Sequence, residues 1–258
     1  RRLWARCHSS RVSVRSSQAE WRPRSLAEAS CQSFDSKRCH QEIAVPASNT
    51  RVSGPVTMRS KVHPTVSVVI PTYNRAALIG RSIHSVLNQS YADFEVLVID
   101  DGSIDDTAGV VAGFSDPRIN YIRLAKNAGA GAARNIGIRM SKGKFIAFQD
   151  SDDEWLPQKL AKHMSVLGES SPRLGVVYSD MHRILFDGSV IYYAAPVVVP
   201  GRLVNPVNQF YQAWMLGIQS TVIKRECLDA VGYFNEALPA CEDLELFIRL
   251  SKQFEFFQ

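Results

Sequence analysis

Two acidic runs in the chain have the residue types and spacing of a cation site. Asp150-Ser-Asp-Asp153-Glu154 directly follows the apolar run Phe145-Ile-Ala-Phe148, and Asp100-Asp101-Gly102-Ser103 directly follows Phe94-Glu-Val-Leu-Val-Ile99. Alternate residues of an extended segment share a side, so Asp150 and Asp152 point the same way. Carboxylates that converge repel each other unless a cation sits among them. Hard oxygen ligands suit Mg2+ or Mn2+, ions that commonly bridge a protein carboxylate to substrate phosphates. Two arrangements fit the spacing: both acids hold the ion, or one holds it while the other takes a sugar hydroxyl. Asp, Ser and Gly are also ordinary turn residues at strand ends. That plainer reading weighs more for residues 100–103 than for the run after Phe148.

Acids this far apart in sequence meet only if the elements before them line up. Val66-Ser-Val-Val-Ile70 reads as a buried strand ending at Pro71, with Asn74 placed to cap the next helix. Ile79, Ile83, Val86 and Leu87 form the stripe of that amphipathic helix. Further along, residues 94–99, 119–124 and 145–148 read as strands and residues 105–114 and 130–140 as helices. Pro157 suits a first helical position, with Leu160, Met164 and Leu167 on one face. Strand and helix in strict alternation demand an α/β fold with a largely parallel sheet and helices on both faces. Ligands of such sheets sit beyond the carboxyl ends of the strands. Those ends deliver Pro71-Thr-Tyr-Asn-Arg75, Asp100-Asp101 and Asp150-Ser-Asp-Asp153 to one edge.

Downstream, residues 174–178 read as a strand, 181–186 and 189–193 as a hairpin around Asp187-Gly188, 206–216 as a helix and 220–223 as a strand. Glu242 and Asp243 open a helix buried through Leu244, Phe247 and Ile248, and a strand starts near Phe254. Trp155 and Trp214 read as packed aromatics, His163 as a helix-face residue and Cys241 as small and buried.

Pro71-Thr-Tyr-Asn74, Val98-Ile-Asp-Asp-Gly-Ser103, Gly131-Ala-Ala-Arg-Asn135 and Asp150-Ser-Asp-Asp-Glu-Trp155 occur in that order. With this set the chain, from about Pro64 to Ser251, resembles glycosyltransferase family 2, inverting enzymes of the GT-A fold. The resemblance implies a nucleoside-diphosphate sugar donor, a UDP-sugar being favoured, and a saccharide or lipid-linked acceptor. Pro71, Thr72 and Tyr73 would line the base pocket, with Tyr73 packing on base or ribose. Asp101 would accept from the base, and Arg134 would approach the nucleotide or its phosphates. Asp152 would be the principal ligand of Mn2+ or Mg2+, with Asp150 beside it. Asp150 and Ser151 would face ribose and donor sugar. The family's catalytic base matches Asp243 in Cys241-Glu-Asp-Leu-Glu-Leu-Phe-Ile-Arg-Leu250, with Glu242 supporting it. Residues 174–223, including the small hairpin, would shape the acceptor side. The family also implies polysaccharide or glycolipid synthesis in the cytoplasm, at the inner face of a membrane with peripheral association. The other reading is a degenerate or truncated sugar-nucleotide-binding module without activity.

Charge and composition exclude other classes. Of the 258 residues, 45% are hydrophobic and 21% charged, ordinary values for a globular protein. The net +5 is uneven: residues 1–61 carry 12 Lys/Arg against 4 Asp/Glu, and residues 62–258 carry 18 against 21. Basicity therefore belongs to the first segment, and the remainder has no field suited to nucleic acid. That Arg- and Ser-rich segment reads as a disordered tail, either a transit peptide or sequence upstream of a start at Met58. Residues 62–258 read as one catalytic domain, truncated where Phe254-Glu-Phe-Phe-Gln258 begins a strand. No apolar run approaches the ~20 residues that a spanning helix needs. Only Cys227 and Cys241 lie beyond the tail, which points to a reducing compartment. Gly129-Ala-Gly131-Ala-Ala-Arg134 is not a dinucleotide fingerprint, because its third glycine is Arg and it comes after the third strand. Paired acids of a glycosidase would need neither a D-x-D nor a nucleotide pocket.

Overall fold

The computed structural model describes residues 63–168, 170–185, 187–195 and 216–258. The tail, Trp214 and the helix expected over 206–216 (up to residue 215) lie outside them. Strands β1 (Val66–Thr72), β2 (Phe94–Asp100), β3 (Ile119–Arg123) and β4 (Phe145–Phe148) alternate with helices α1 (Ile79–Leu87), α2 (Thr107–Ala112), α3 (Ala130–Met140) and α4 (Lys159–Gly168). After them come β5 (Leu174–Tyr178), the hairpin β6 (Met181–Ile184) and β7 (Val190–Tyr193), and β8 (Thr221–Lys224). The described chain ends with α5 (Arg225–Val231), α6 (Glu242–Ser251) and β9 (Glu255–Phe257).

Seven strands form one sheet in the order β3-β2-β1-β4-β8-β5-β9. Every pairing is parallel except those of β8, which runs antiparallel to both β4 and β5. The sheet is thus the largely parallel α/β sheet that the alternation demands, and the hairpin forms a separate two-stranded sheet. Because β8 is reversed between them, β4 and β5 point the same way, and the carboxyl ends of β1 to β5 all reach one edge.

Apolar side chains alternate across this sheet. Val66, Val68 and Ile70 face α1 and α4 through Ile79, Ile83, Val86, Leu160 and Met164. Val69 faces the other way, into a cluster with Ala133 and Ile138 of α3 and Leu246, Phe247 and Leu250 of α6. Both faces of β1 are covered, which is why its sequence is an unbroken apolar run. Gly137 lets α3 lie directly on the sheet: a Cβ there would stand 2.3 Å from Val69 Cγ1. The far end of α3 is tied down by Arg225, whose guanidinium donates to the carbonyls of Ile138, Ser141 and Gly143 at 3.2, 2.9 and 2.8 Å. It thereby satisfies carbonyls that a helix end leaves open.

Several local expectations change. Asn74 does not cap α1, which starts at Ile79 with no side-chain cap. Its φ of 53° is left-handed, a conformation Asn tolerates, and its Oδ1 accepts instead from Ile104 N at 2.8 Å. The α6 stripe is Leu246, Phe247 and Leu250, with Leu244 and Ile248 only half-buried. His163 lies on the buried face of α4, and burial pushes its imidazole down to about 2, so it stays neutral. Trp155 is packed as expected, its indole N–H donating to the Gln219 carbonyl at 3.1 Å. Cys241 is exposed because it is the turn residue before α6, with φ 61°.

Candidate active site

The loops after β1 and β2 are bound to each other, which holds the first part of the site. Asn74 N donates to Ser103 Oγ at 2.9 Å, Arg75 N to Thr107 Oγ1 at 3.1 Å, and Ala76 N to Asp105 Oδ2 at 2.9 Å. Pro71 and Thr72 are buried at the end of β1, and Thr72 Oγ1 has no hydrogen-bond partner among the described residues. Tyr73, the next residue, is 43% exposed and presents an aromatic ring at the edge of the sheet.

Asp100 and Asp101 are both spent on protein donors. Asp100 Oδ1 accepts from Ser103 N at 2.7 Å, and its Oδ2 accepts from the Tyr121 hydroxyl. Burial first, and then Asp100, raise the pKa of that hydroxyl, so it remains a donor. The Asp101 carboxylate takes the N–H groups of Ala128 and Gly129, both at 2.8 Å, directly ahead of α3. These bonds occupy the Asp100 and Asp101 carboxylates with protein donors, apart from the acids that follow β4. Asp101 thereby sets the start of α3.

Arg134, on α3, lies at the centre of the remaining acids. Its Nη2 donates to Asp150 Oδ1 at 2.8 Å and its Nη1 to Glu242 Oε1 at 2.6 Å. Its side chain is only 7% exposed. Burial alone would lower the guanidinium's pKa, but Asp150 and then Glu242 hold it above the ordinary value. This arrangement brings the D-x-D run and the Glu-Asp pair, 92 positions apart between Asp150 and Glu242, onto one side chain. Asp243 comes next, in the first turn of α6, with its Oδ1 accepting from Leu244 N at 2.8 Å. Burial dominates and raises its pKa. The Leu244 N–H and Arg134 oppose that rise, and Glu242 and Asp150 add to it.

Ser151 is buried, and the Asp150 carbonyl accepts from Ser82 Oγ at 3.0 Å, fixing the run to α1. Asp152 points outward, 47% exposed, and lies 3.6 Å from Arg75 Nη2, an ion pair too open to be worth much. Asp153 is pushed up to about 6 by burial and then by the charges of Asp150 and Asp152. Among the described residues, no three His, Cys, Asp or Glu side chains gather into a ready-made metal cluster. The donor set still fits a hard divalent ion. Residues 151–152 form a turn and not the extended segment expected, so Asp150 reaches the buried Arg134 while Asp152 reaches the exposed Arg75. Asp152 offers a loosely paired carboxylate, and the local excess of negative charge adds to the rise at Asp153. Mg2+ and Mn2+ are usually held by one or two carboxylates, with phosphates and water completing the shell.

Two further contributors have no role expected from the sequence, although one of them closes the Gly131–Asn135 run. Asn135, next to Arg134, bonds Phe234 and also Glu236 Oε1 at 2.8 Å, anchoring the approach to α6. Gln219, ahead of β8, hydrogen-bonds the Asp153 carboxyl. In Ala-Arg-Asn the polar Asn on a helix otherwise facing the core was the one available signal.

The sequence profile described as Glycosyl transferase family 2 matches residues 67–181. The UDP-Glc:alpha-D-GlcNAc-diphosphoundecaprenol beta-1,3-glucosyltransferase WfgD of Escherichia coli is 33% identical over 168 residues, covering 65% of this chain and 63% of WfgD. WcaA of Escherichia coli K12, provisionally assigned as a colanic acid biosynthesis glycosyl transferase, is 32% identical, covering 74% of this chain and 67% of WcaA. Against two further relatives, uncharacterised glycosyltransferases of Rickettsia, the chain covers only 31% and 28% of their length. The chain thus spans from under a third to about two thirds of the curated relatives it matches. In fold it is similar to a mannosyltransferase of Pyrobaculum calidifontis solved with GDP-Man and Mn2+, with TM-score 0.58, 22% identity and coverage of 77% of this chain and 55% of that one.

Proposed function

The chain belongs to glycosyltransferase family 2, and from that membership we propose that it is the catalytic core of an inverting transferase that moves a sugar from a nucleoside diphosphate to an acceptor hydroxyl. One observation carries this reading: Arg134 joins the D-x-D run after β4 to the Glu-Asp pair of α6. In this reading the run that would serve metal and phosphate and the helix turn that would bear the base are tied to one side chain.

In this reading Tyr73 stacks on the base of the nucleotide, with Pro71 and Thr72 lining its pocket. Asp101 acts chiefly through the α3 start that it holds, and any contact to the base is made from there. Asp150 and Ser151 face ribose and donor sugar, and Asp152 with Asp150 would hold Mn2+ or Mg2+. A divalent ion there would stabilise the negative charge gathering on the departing diphosphate. The acceptor oxygen forms its bond to the anomeric carbon as the bond from that carbon to the diphosphate oxygen breaks. Asp243 takes the hydroxyl proton, and Glu242, held by Arg134, supports it. A single displacement from the far face inverts the anomeric centre. General base catalysis of this kind is typically worth ~10²–10⁴-fold.

A UDP-sugar and a lipid-linked saccharide acceptor are favoured by the chemistry in the name of WfgD. Synthesis of a cell-envelope polysaccharide or glycolipid at the inner face of a membrane extends the same likeness. Among the described residues no helix is long and apolar enough to cross a membrane.

The test is turnover of UDP-glucose, with Mn2+, on a diphosphoundecaprenol-linked GlcNAc acceptor. Asp243→Asn is expected to bind UDP as the wild type does and to turn over ~10²–10⁴-fold more slowly. Unchanged turnover in that variant would remove Asp243 from its role. A wild-type chain that binds UDP and transfers nothing would be a binding module.

A further inference from the structure

The buried guanidinium of Arg134 is shared. Each acid takes a single hydrogen bond from it, Asp150 through Oδ1 and Glu242 through Oε1, so neither makes the two-pronged pair that Arg and carboxylate prefer. Its Nε is buried and has no hydrogen-bond partner among the described residues. The ring of Phe234, whose centroid lies 5.5 Å from the ζ carbon, contributes no third anion. One positive charge therefore sits between two negative ones in a largely buried site, where each contact is sensitive to the strength of the other.

The two acids belong to different ends of the reaction. Asp150 opens the run that faces donor and metal. Glu242 is the first residue of α6, whose opening hydrogen bond runs from Glu245 N to Cys241 O at 3.1 Å. A divalent cation arriving beside Asp150 draws on that carboxylate and repels the guanidinium. The anion left to Arg134 is then Glu242. Strengthening that bond tightens the first turn of α6, where Asp243 sits.

We infer that Arg134 is a positioning residue that couples occupancy of the donor end, through Asp150 and Glu242, to the order of the helix turn bearing Asp243. This rests on the donor reading above. It differs from a direct contact between Arg134 and nucleotide, because its effect is read on α6 and not at the ligand. Lys cannot replace it: an ammonium is a compact point charge without the planar fork that reaches both acids.

The experiment is amide hydrogen exchange of the whole chain, followed at residues 245–249, without ligand and with UDP plus Mn2+. Binding is checked in parallel by equilibrium dialysis. In the wild type, UDP plus Mn2+ is expected to slow exchange there by about tenfold or more, a coupling of ordinary size. In Arg134→Lys the slowing is expected to shrink to about twofold or less. Glu242→Gln keeps the shape and removes the charge, and the same shrinkage is expected, so the test stands if Arg134→Lys fails to fold. Wild-type protein that binds UDP and Mn2+ with unchanged exchange at α6 overturns the inference alone, as does full slowing in Arg134→Lys. If the wild type binds no UDP with Mn2+, the donor reading fails and takes this inference with it.

Discussion

Asn135 and Phe234 hold each other through two hydrogen bonds: Phe234 N donates to Asn135 Oδ1, and Asn135 Nδ2 donates to the Phe234 carbonyl, both at 2.9 Å. A side-chain amide thus completes the backbone of a segment 99 residues away, as a neighbouring strand would. The bonds are buried, and the segment they fix leads directly into α6. Asn135→Ala leaves a buried N–H and carbonyl without partners, at about 1–3 kcal/mol for each group left unsatisfied. We expect about 2–4 kcal/mol lost in urea unfolding, together with a fall in turnover that outlasts correction for the unfolded fraction. A loss below about 0.5 kcal/mol would mean that Asn135 does not hold this loop.

Gly137 sets two effects against each other. Gly→Ala inside a helix gains up to about 1 kcal/mol from propensity. Here the new Cβ would stand 2.3 Å from Val69 Cγ1, 3.0 Å from Val69 Cγ2 and 3.3 Å from Ile99 Cγ1. Those neighbours belong to the central strands β1 and β2 and cannot swing aside, so overpacking of about 1–3 kcal/mol applies. Gly137→Ala is therefore expected to lower the melting temperature. A rise would show that α3 can lift from the sheet at no cost.

The central strands could be read from the sequence because burial on both faces leaves an unbroken apolar run, and the acids after β2 and β4 mark where such a run meets solvent. The start of α6 could be read because acids favour a helix amino end. Neighbours could not be read. Thr221-Val-Ile-Lys224 looks like any short strand, and nothing local says that it enters antiparallel between β4 and β5. The partners of Arg134 were hidden for the same reason. A guanidinium can meet any anion, and nothing local names two carboxylates placed 16 and 108 residues further on. Nor does sequence show that two backbone N–H groups face Asp101, a residue to which the family resemblance assigns a base contact.

Asp153 gives a pH signature. Its carboxyl is pushed up to about 6 from 3.8, chiefly by burial. The folded chain therefore holds that proton more tightly than the unfolded chain. Its contribution favours folding below about pH 4 and is lost as pH rises through about 6. Asp153→Asn removes the penalty and keeps a group able to bond Gln219. In metal-free buffer the variant is expected to melt above wild type at pH 7.5, with the gap closing as pH falls from about 6 towards about 4. Equal melting temperatures across that range would show that Asp153 carries no such burden.

Asp152 is the acid best placed to give up its present partner. Its ion pair with Arg75 is 3.6 Å long and nearly half exposed, so the contact contributes little to folding. Asp152→Ala is therefore expected to leave the melting temperature without ligand within about 2 °C of wild type, because surface changes of this kind usually cost under about 0.5 kcal/mol. Ligand binding should behave differently. Losing even an outer partner of a bound metal costs about 10–100-fold in affinity, and losing a direct ligand should cost at least as much. In calorimetric titration of UDP with Mn2+ present, the variant should bind at least tenfold more weakly than wild type, and chelator should weaken wild type to the same level. Wild type should also gain thermal stability from UDP plus Mn2+ by mass action, a gain that Asp152→Ala loses. UDP binding that is equally tight in chelator, or unchanged in Asp152→Ala, would take the metal away from this residue and leave Tyr73 and the β1–β2 loops as the nucleotide site.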